Sequence, residues 1–415
     1  MIGASVMPRR MILIISALMI VFKSISYIMK KAWSTKSFGH TLHEFCLIVL
    51  TSTMLLSCSG GDEESQNVSG SIPLYSMDNL ASVLPELAAE PEGIFEPSGY
   101  MSPYFLELLA DGKYVVANDR LEQKIHLFDE TGTHLASAGG EGRGPGEFMG
   151  AMNLHAGKDN DLYVLDVPHH KITRFNLSDE EFIYDTTYSV NQEPGSLLRN
   201  IYVTPWGNFG VIRSIVDYSS GEEVYHLYKL DASFNQIERL FEMPGNEKMS
   251  LSEWSHVDHM VGQKTLWGMY DEWFYYITSH SPVINRYNLR TGESTDDAWF
   301  DLEERKVTPE TRDQLMEISS NLTRRFPDLK KTMEAVTVLP LFEGFLVYDE
   351  TIYLVVFNVS GSDRTEIIRI KKSTGEVHYI QIPLRLWRVQ AGNGLIYGIE
   401  TTDDGSSVRI INLAE

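Results

Sequence analysis

From about residue 96 to the C-terminus, short apolar or aromatic runs alternate with turns built from Asp, Asn and Gly. One order returns six times: a turn, an apolar strand, a polar break, a second strand carrying an aromatic, and often a further turn and strand. In the first unit the turn Ala110-Asp111-Gly112-Lys113 precedes strands predicted over residues 114–117, 124–129 and 134–138. The second unit predicts strands at 162–166 and 171–176, and the third at 209–213, 225–231 and 236–242. The fourth predicts 273–278 and 283–288, the fifth 351–358, 366–371 and 377–382, and the sixth 395–400 and 407–412.

Strand pairs joined by Gly, Asp and Asn are hairpins, because those residues tolerate the positive φ of a tight turn. A unit of about 40–50 residues with four strands cannot bury its own faces, so such units stack around an axis until the ring closes. Six units predict an all-β fold, a six-bladed β-propeller spanning 96–415. The competing architecture is a β-sandwich with an accessory domain, which accounts less well for six turns at this spacing. One departure lies between units four and five. Thr308-Pro309-Glu310 opens a helix with Thr308 as N-cap and Pro309 at the first helical position, and Met316, Ile318, Leu322, Phe326 and Leu329 supply an apolar stripe. This predicts a helical insertion over about 308–335, packed on one face of the ring and divided at Pro327.

Between the first two units runs Gly142-Arg143-Gly144-Pro145-Gly146-Glu147-Phe148, followed by the strand Leu162-Tyr163-Val164-Leu165-Asp166 and an isoleucine–aromatic strand. This combination resembles NHL-repeat propellers, and more closely the six-bladed β-propeller lipoproteins of Bacteroidetes. The resemblance covers residues 96–415 and is strongest in units one and two. It implies a fold and an envelope location much more than a biochemistry. The glycine-rich stretch is not a phosphate loop, since it lacks the GK[ST] ending and opens no helix.

Residues 1–57 read as an address and stand outside the fold. Lys30 and Lys31 belong to a basic region after Met29, the expected start. An apolar run from Phe45 to Leu56 then ends in Leu55-Leu56-Ser57-Cys58, which resembles a bacterial lipobox with Cys58 as the lipidated mature N-terminus. The other reading, an uncut membrane span, asks more length than this run has. The acidic cluster Asp62-Glu63-Glu64 resembles a signal for surface export, so the chain is expected at the outer membrane, facing either the periplasm or the cell surface. Residues 58–95 read as an acidic tether, with Ile72-Pro73-Leu74-Tyr75 as a candidate ring-closing strand.

Charge and cysteine content remove whole classes of function. A net charge of −22 argues against nucleic-acid binding, because phosphate attraction needs a basic face. The only two cysteines, Cys46 and Cys58, lie in the address region, which excludes disulfides, cysteine metal sites and cysteine catalysis in the ring.

Candidate chemistry is sparse. The region of Trp254, Trp267, Trp273, Tyr270, Tyr275 and Tyr276 suits a carbohydrate or peptide platform, although aromatics are also ordinary core material. Arg143, Trp254, Trp267 and Tyr270 are the ligand-binding candidates, Arg143 either bracing its connector or reaching a ligand. Glu107, Asn118, Asp119, Asp166, Asn200, Asp217 and Glu400 offer oxygen ligands of the kind Ca²⁺ takes in lactonase-like propeller channels, although acids at blade turns are usually turn formers. His169-His170 and His256/His259 show no HExxH spacing, and no GxSxG elbow supports a triad. The expected role is a lipid-anchored platform for a protein, glycan or small-molecule ligand, without a resident metal or cofactor. The alternative is a hydrolase or lyase that uses a divalent cation in the channel.

Overall fold

The computed structural model describes residues 74–95, 101–157, 160–252, 255–297, 301–359, 363–403 and 405–413. Cys58, the acidic cluster and the rest of the address region lie outside the described residues, as does Trp254. Six sheets, each built on four antiparallel strands, form the blades, and Glu86–Leu87 adds a fifth strand in parallel to the outer edge of the fifth. The first blade runs Pro103–Leu109, Tyr114–Asp119, Lys124–Asp129 and His134–Gly139. The first strands of the first three blades approach one another in turn, as do those of the fourth, fifth, sixth and first, which places them around the axis.

The second strands explain why the pattern was visible in the sequence. Tyr114–Asp119, Leu162–Asp166 and Thr351–Val356 are buried along their whole length. A strand covered on both faces reads as a continuous apolar run. Successive side chains point to opposite faces, so each such strand feeds two cores. Tyr114 and Val116 pack toward the second blade with Leu154, Leu162 and Val164. Val115 and Ala117 pack toward the sixth with Tyr397, Ile399 and Val408. Leu162 and Val164 turn to the first blade, while Tyr163 and Leu165 turn to the third. The blades are joined by these shared cores.

The sixth blade combines the two ends of the ring. Its strands Leu386–Gly392, Leu395–Thr402 and Gly405–Leu413 are completed by Ala89–Phe95, with Val408 opposite Phe95 and Leu413 opposite Ala89. The strand candidate at 72–75 is corrected here. Leu74–Tyr75 is a strand, but it pairs in parallel with Asp301–Leu302. The closing segment Ala-Glu-Pro-Glu-Gly-Ile-Phe carries Pro91, which an outermost strand tolerates beside the bulge at Ile410/Ile411.

The insertion between the fourth and fifth blades consists of three helices, Pro309–Ile318, Ser320–Arg325 and Leu329–Glu334. Thr308 caps the first by accepting the Thr311 N–H, with Pro309 next to it. Besides the break around Pro327, a second break falls at the buried Ser319. The helices and the hairpin Lys248–Ser252/Ser255–Asp258 share a core of Leu315, Leu329, Met333, Met249, Val261 and Phe357. A neck leads into and out of this cap, with the Val307 N–H bonded to Thr337 O at 2.9 Å and the Leu339 N–H to Arg305 O at 2.8 Å.

Candidate functional site

The meander gives the ring two unlike faces. One carries the connections between blades and the turns from second to third strands, and the cap sits there. The other carries the tight turns from first to second and third to fourth strands.

The glycine-rich connector is a self-capped loop on the connection face. The Gly144 N–H donates to Glu147 Oε2 at 2.7 Å, and the carboxylate occupies the space that side chains at 142 and 144 would fill. Gly142 N donates to Phe148 O at 3.0 Å, and Phe148 N to Gly140 O at 2.8 Å. Phe148 is thereby driven into the core between the first two blades, 6.1 Å from Phe175. Arg143 is exposed and makes no hydrogen bond or ion pair among the described residues.

Most of the oxygen-ligand candidates are occupied in local structure. Asp119 accepts the N–H groups of Leu121 at 2.7 Å and Glu122 at 3.3 Å. Asp166 accepts the Met149 N–H at 3.0 Å and is paired with His169 at 2.9 Å. Asn118 accepts from Phe105 N at 2.6 Å, Asp217 caps an exposed turn by accepting Ser219 N at 2.8 Å, and Glu400 pairs with Arg409 at 2.5 Å. Among the described residues no group of three or more His, Cys, Asp and Glu side chains is placed to hold a metal ion. His170 is exposed, His256 bonds Ser250 and the Tyr218 carbonyl, and His259 accepts the Val261 N–H, so each histidine has separate surroundings.

Glu107 and Asn200 differ, since both lie on first strands. Glu107 Oε1 accepts the Ala156 N–H of the second blade at 2.8 Å. The side chain is enclosed by the inner strands yet keeps some contact with solvent, and burial pushes its carboxyl up to about 7 against the opposing pull of that N–H. One blade on, His155 Nε2 accepts the Val203 N–H at 3.0 Å, and burial drives its imidazole down to about 3, so it is neutral with its proton on Nδ1. The His155 ring stands edge-on to Tyr202 at 5.2 Å, and Asn200 donates to the Tyr202 hydroxyl at 2.9 Å. Gln390 of the sixth blade donates to Leu106 O at 3.1 Å. Polar side chains of the first strands thus stitch the first blade to the second, the second to the third and the sixth to the first. Sequence reasoning missed His155 because its signal, a polar residue in a short apolar run, is shared with any surface position.

Two clefts of about 460 Å³ each open near the fourth and fifth blades. The cleft on the turn face is lined by Tyr270, Trp273, Tyr275, Arg286, Glu350 and Lys372, among others. Arg286 lies over the Trp273 ring at 4.7 Å, and Lys372 donates to the Tyr275 hydroxyl at 2.6 Å. The Tyr270 hydroxyl donates to Asp349 at 3.3 Å, fixing its ring at the boundary of the two blades. The three ligand-binding candidates among the described residues do not meet in one place. Tyr270 lines this cleft, Trp267 packs on Tyr225 at 4.9 Å between the third and fourth blades, and Arg143 sits beyond the first blade.

The second cleft lies on the connection face beside the neck of the cap, and Glu247, His280, Leu302, Glu304, Arg305 and Leu339 are among its walls.

No curated protein matches the sequence. Among solved structures, an exported protein from Bacteroides fragilis is similar at 12% identity and TM-score 0.47, covering 83% of this chain and 99% of its own. A streptogramin B lyase is similar at 12% identity and TM-score 0.43, covering 78% and 97%. The calcium-binding protein regucalcin from Agrobacterium tumefaciens is similar at 10% identity and TM-score 0.42, covering 80% and 98%. A family model described as a 6-bladed beta-propeller matches residues 106–370, well over half of the chain. With six meander blades closed by Ala89–Phe95, the chain belongs to this family, DUF5128.

Proposed function

We propose that this propeller is a lipid-anchored platform of the bacterial outer membrane, tethered through Cys58, that holds a saccharide ligand without transforming it. The observation that carries the reading is the turn-face cleft, where the half-buried Tyr270 and Trp273 supply apolar ring surface beside the polar groups of Arg286, Glu350 and Lys372, with Tyr275 buried beneath. Sugars are bound by that pairing of flat apolar surface with a few placed polar groups, and the volume suits a small ligand. The test is titration of the purified chain with a panel of oligosaccharides. Trp273→Ala should weaken any bound sugar by tenfold or more, and no binding across neutral and acidic glycans would count against the assignment. Palmitate labelling of the wild type that is lost in Cys58→Ala would support the anchor.

A second reading, catalysis at the axis, is favoured by Glu107, whose carboxyl near pH 7 is suited to proton transfer beside the Tyr202 hydroxyl group. A turnover that is abolished by Glu107→Gln would move the function there.

A further inference from the structure

We infer that the cleft beside the cap is a separate binding site, and that it takes a short peptide or amino acid through its free ammonium and carboxylate ends. Its walls carry both signs of charge around an aliphatic floor. Glu247 and Glu304 are exposed at the cleft, whereas Arg305 is half-buried in the neck. Val338 lines the apolar floor, backed by the buried Leu302, Leu339 and Leu341. A wholly anionic ligand would meet two carboxylates, and a wholly cationic one would meet the guanidinium. A zwitterion with an aliphatic side chain satisfies both charges and the floor.

The polar groups are held in place. The Arg305 guanidinium donates to Phe357 O at 2.5 Å, which ties the neck to the end of the fifth blade's second strand. Glu247 accepts the Gln263 N–H at 3.1 Å, fixing the opposite wall. Ser279 Oγ accepts the Lys264 N–H at 2.9 Å and lies 3.2 Å from His280 Nδ1. Assigning the Ser279 hydroxyl proton to Nδ1 leaves the proton of His280 on Nε2, as a neutral donor, and burial favours the neutral ring. The site thus offers guanidinium and imidazole N–H groups for a carboxylate and two carboxylates for an ammonium, in a volume of about 460 Å³.

The test is calorimetric titration of the full chain in detergent with the dipeptide Ala-Leu, its N-acetyl and C-amide forms, and Ala-Asp. Ala-Leu is expected to bind, with each blocked form and Ala-Asp at least tenfold weaker. Glu304→Gln, an exposed change whose folding is checked by an unaltered melting temperature, should shrink the gap between Ala-Leu and its N-acetyl form. Trp273→Ala, in the other cleft, should leave Ala-Leu binding unchanged. Absence of Ala-Leu binding, or equal binding of the blocked forms, would overturn the assignment.

Discussion

Glu107 of the first blade accepts the backbone N–H of Ala156 in the second at 2.8 Å, so one carboxyl group fastens two blades beside the axis. Burial raises that carboxyl from 4.5 to about 7. Between those values the folded chain keeps a proton that the unfolded chain has released, so stability is fully present below pH 4.5 and falls as pH rises through 7. The loss is on the order of 3 kcal/mol. In Glu107→Gln the amide oxygen still accepts the Ala156 N–H and nothing ionises. Urea denaturation at pH 5 and pH 8 should show the variant losing less stability across that interval than the wild type.

His155 acts on the acid side. Its folded value of about 3 lies below the ordinary 6.5, so in that window the unfolded chain takes up a proton that the folded one refuses. Stability is present above pH 6.5 and falls as pH drops toward 3, by roughly 4 kcal/mol if this group acts alone. His155→Gln retains an acceptor for the Val203 N–H. Its acid unfolding midpoint should lie below that of the wild type, and an unchanged midpoint would place the acid-sensitive group elsewhere.

A methyl group on residue 142 would collide with Glu147 Oε2, so Gly142→Ala must displace the carboxylate that caps Gly144 N. Losing that charged hydrogen bond should cost about 1.5–3 kcal/mol. With Glu147 already changed to Ala, the same glycine substitution should cost less than about 0.5 kcal/mol. Additive effects in this double-mutant cycle would show that the glycine and the glutamate are independent.

Phe95 is 1% exposed and stacks on Phe128 of the first blade at 5.0 Å, while its strand completes the sixth. Phe95→Ala should cost about 3–5 kcal/mol. Truncation at residue 96 should do more, because it removes a whole strand and exposes the sheet edge. Reversible unfolding of the truncated chain at wild-type denaturant concentrations would contradict this account of closure.

The second and third strands were legible because they lie in the middle of each blade. Leu162–Asp166 and Trp273–Thr278 have the bounds their apolar runs suggest. The first strands were harder to see. Ser196–Thr204 and Leu386–Gly392 face neighbouring blades and the axis at once, so they mix polar and apolar residues without a clean period. The recurring Asp and Asn turns were visible for a physical reason: Asp129 accepts the N–H groups of Thr131 and Thr133 at 2.9 Å each, and Asp231 accepts those of Ser233 and Asn235 at 2.8 Å each. The same chemistry explains why Asp119 and Asp217, which looked like cation ligands, are turn formers.

Local pattern by itself determined the six blades, the place of the helical insertion and the glycine-rich connector, because apolar runs, turn residues and caps act over a few neighbouring residues. Only the tertiary structure decided which segment closes the ring, since Ala89–Phe95 has no strand-like run of its own and is selected by the open edge of Gly405–Leu413. The same holds for the sites. Tyr270 and Lys372, or Glu247 and Arg305, share a cleft only because the ring brings distant loops to one face. A charge, a ring or an N–H becomes a site through its neighbours in space, and those are fixed by closure.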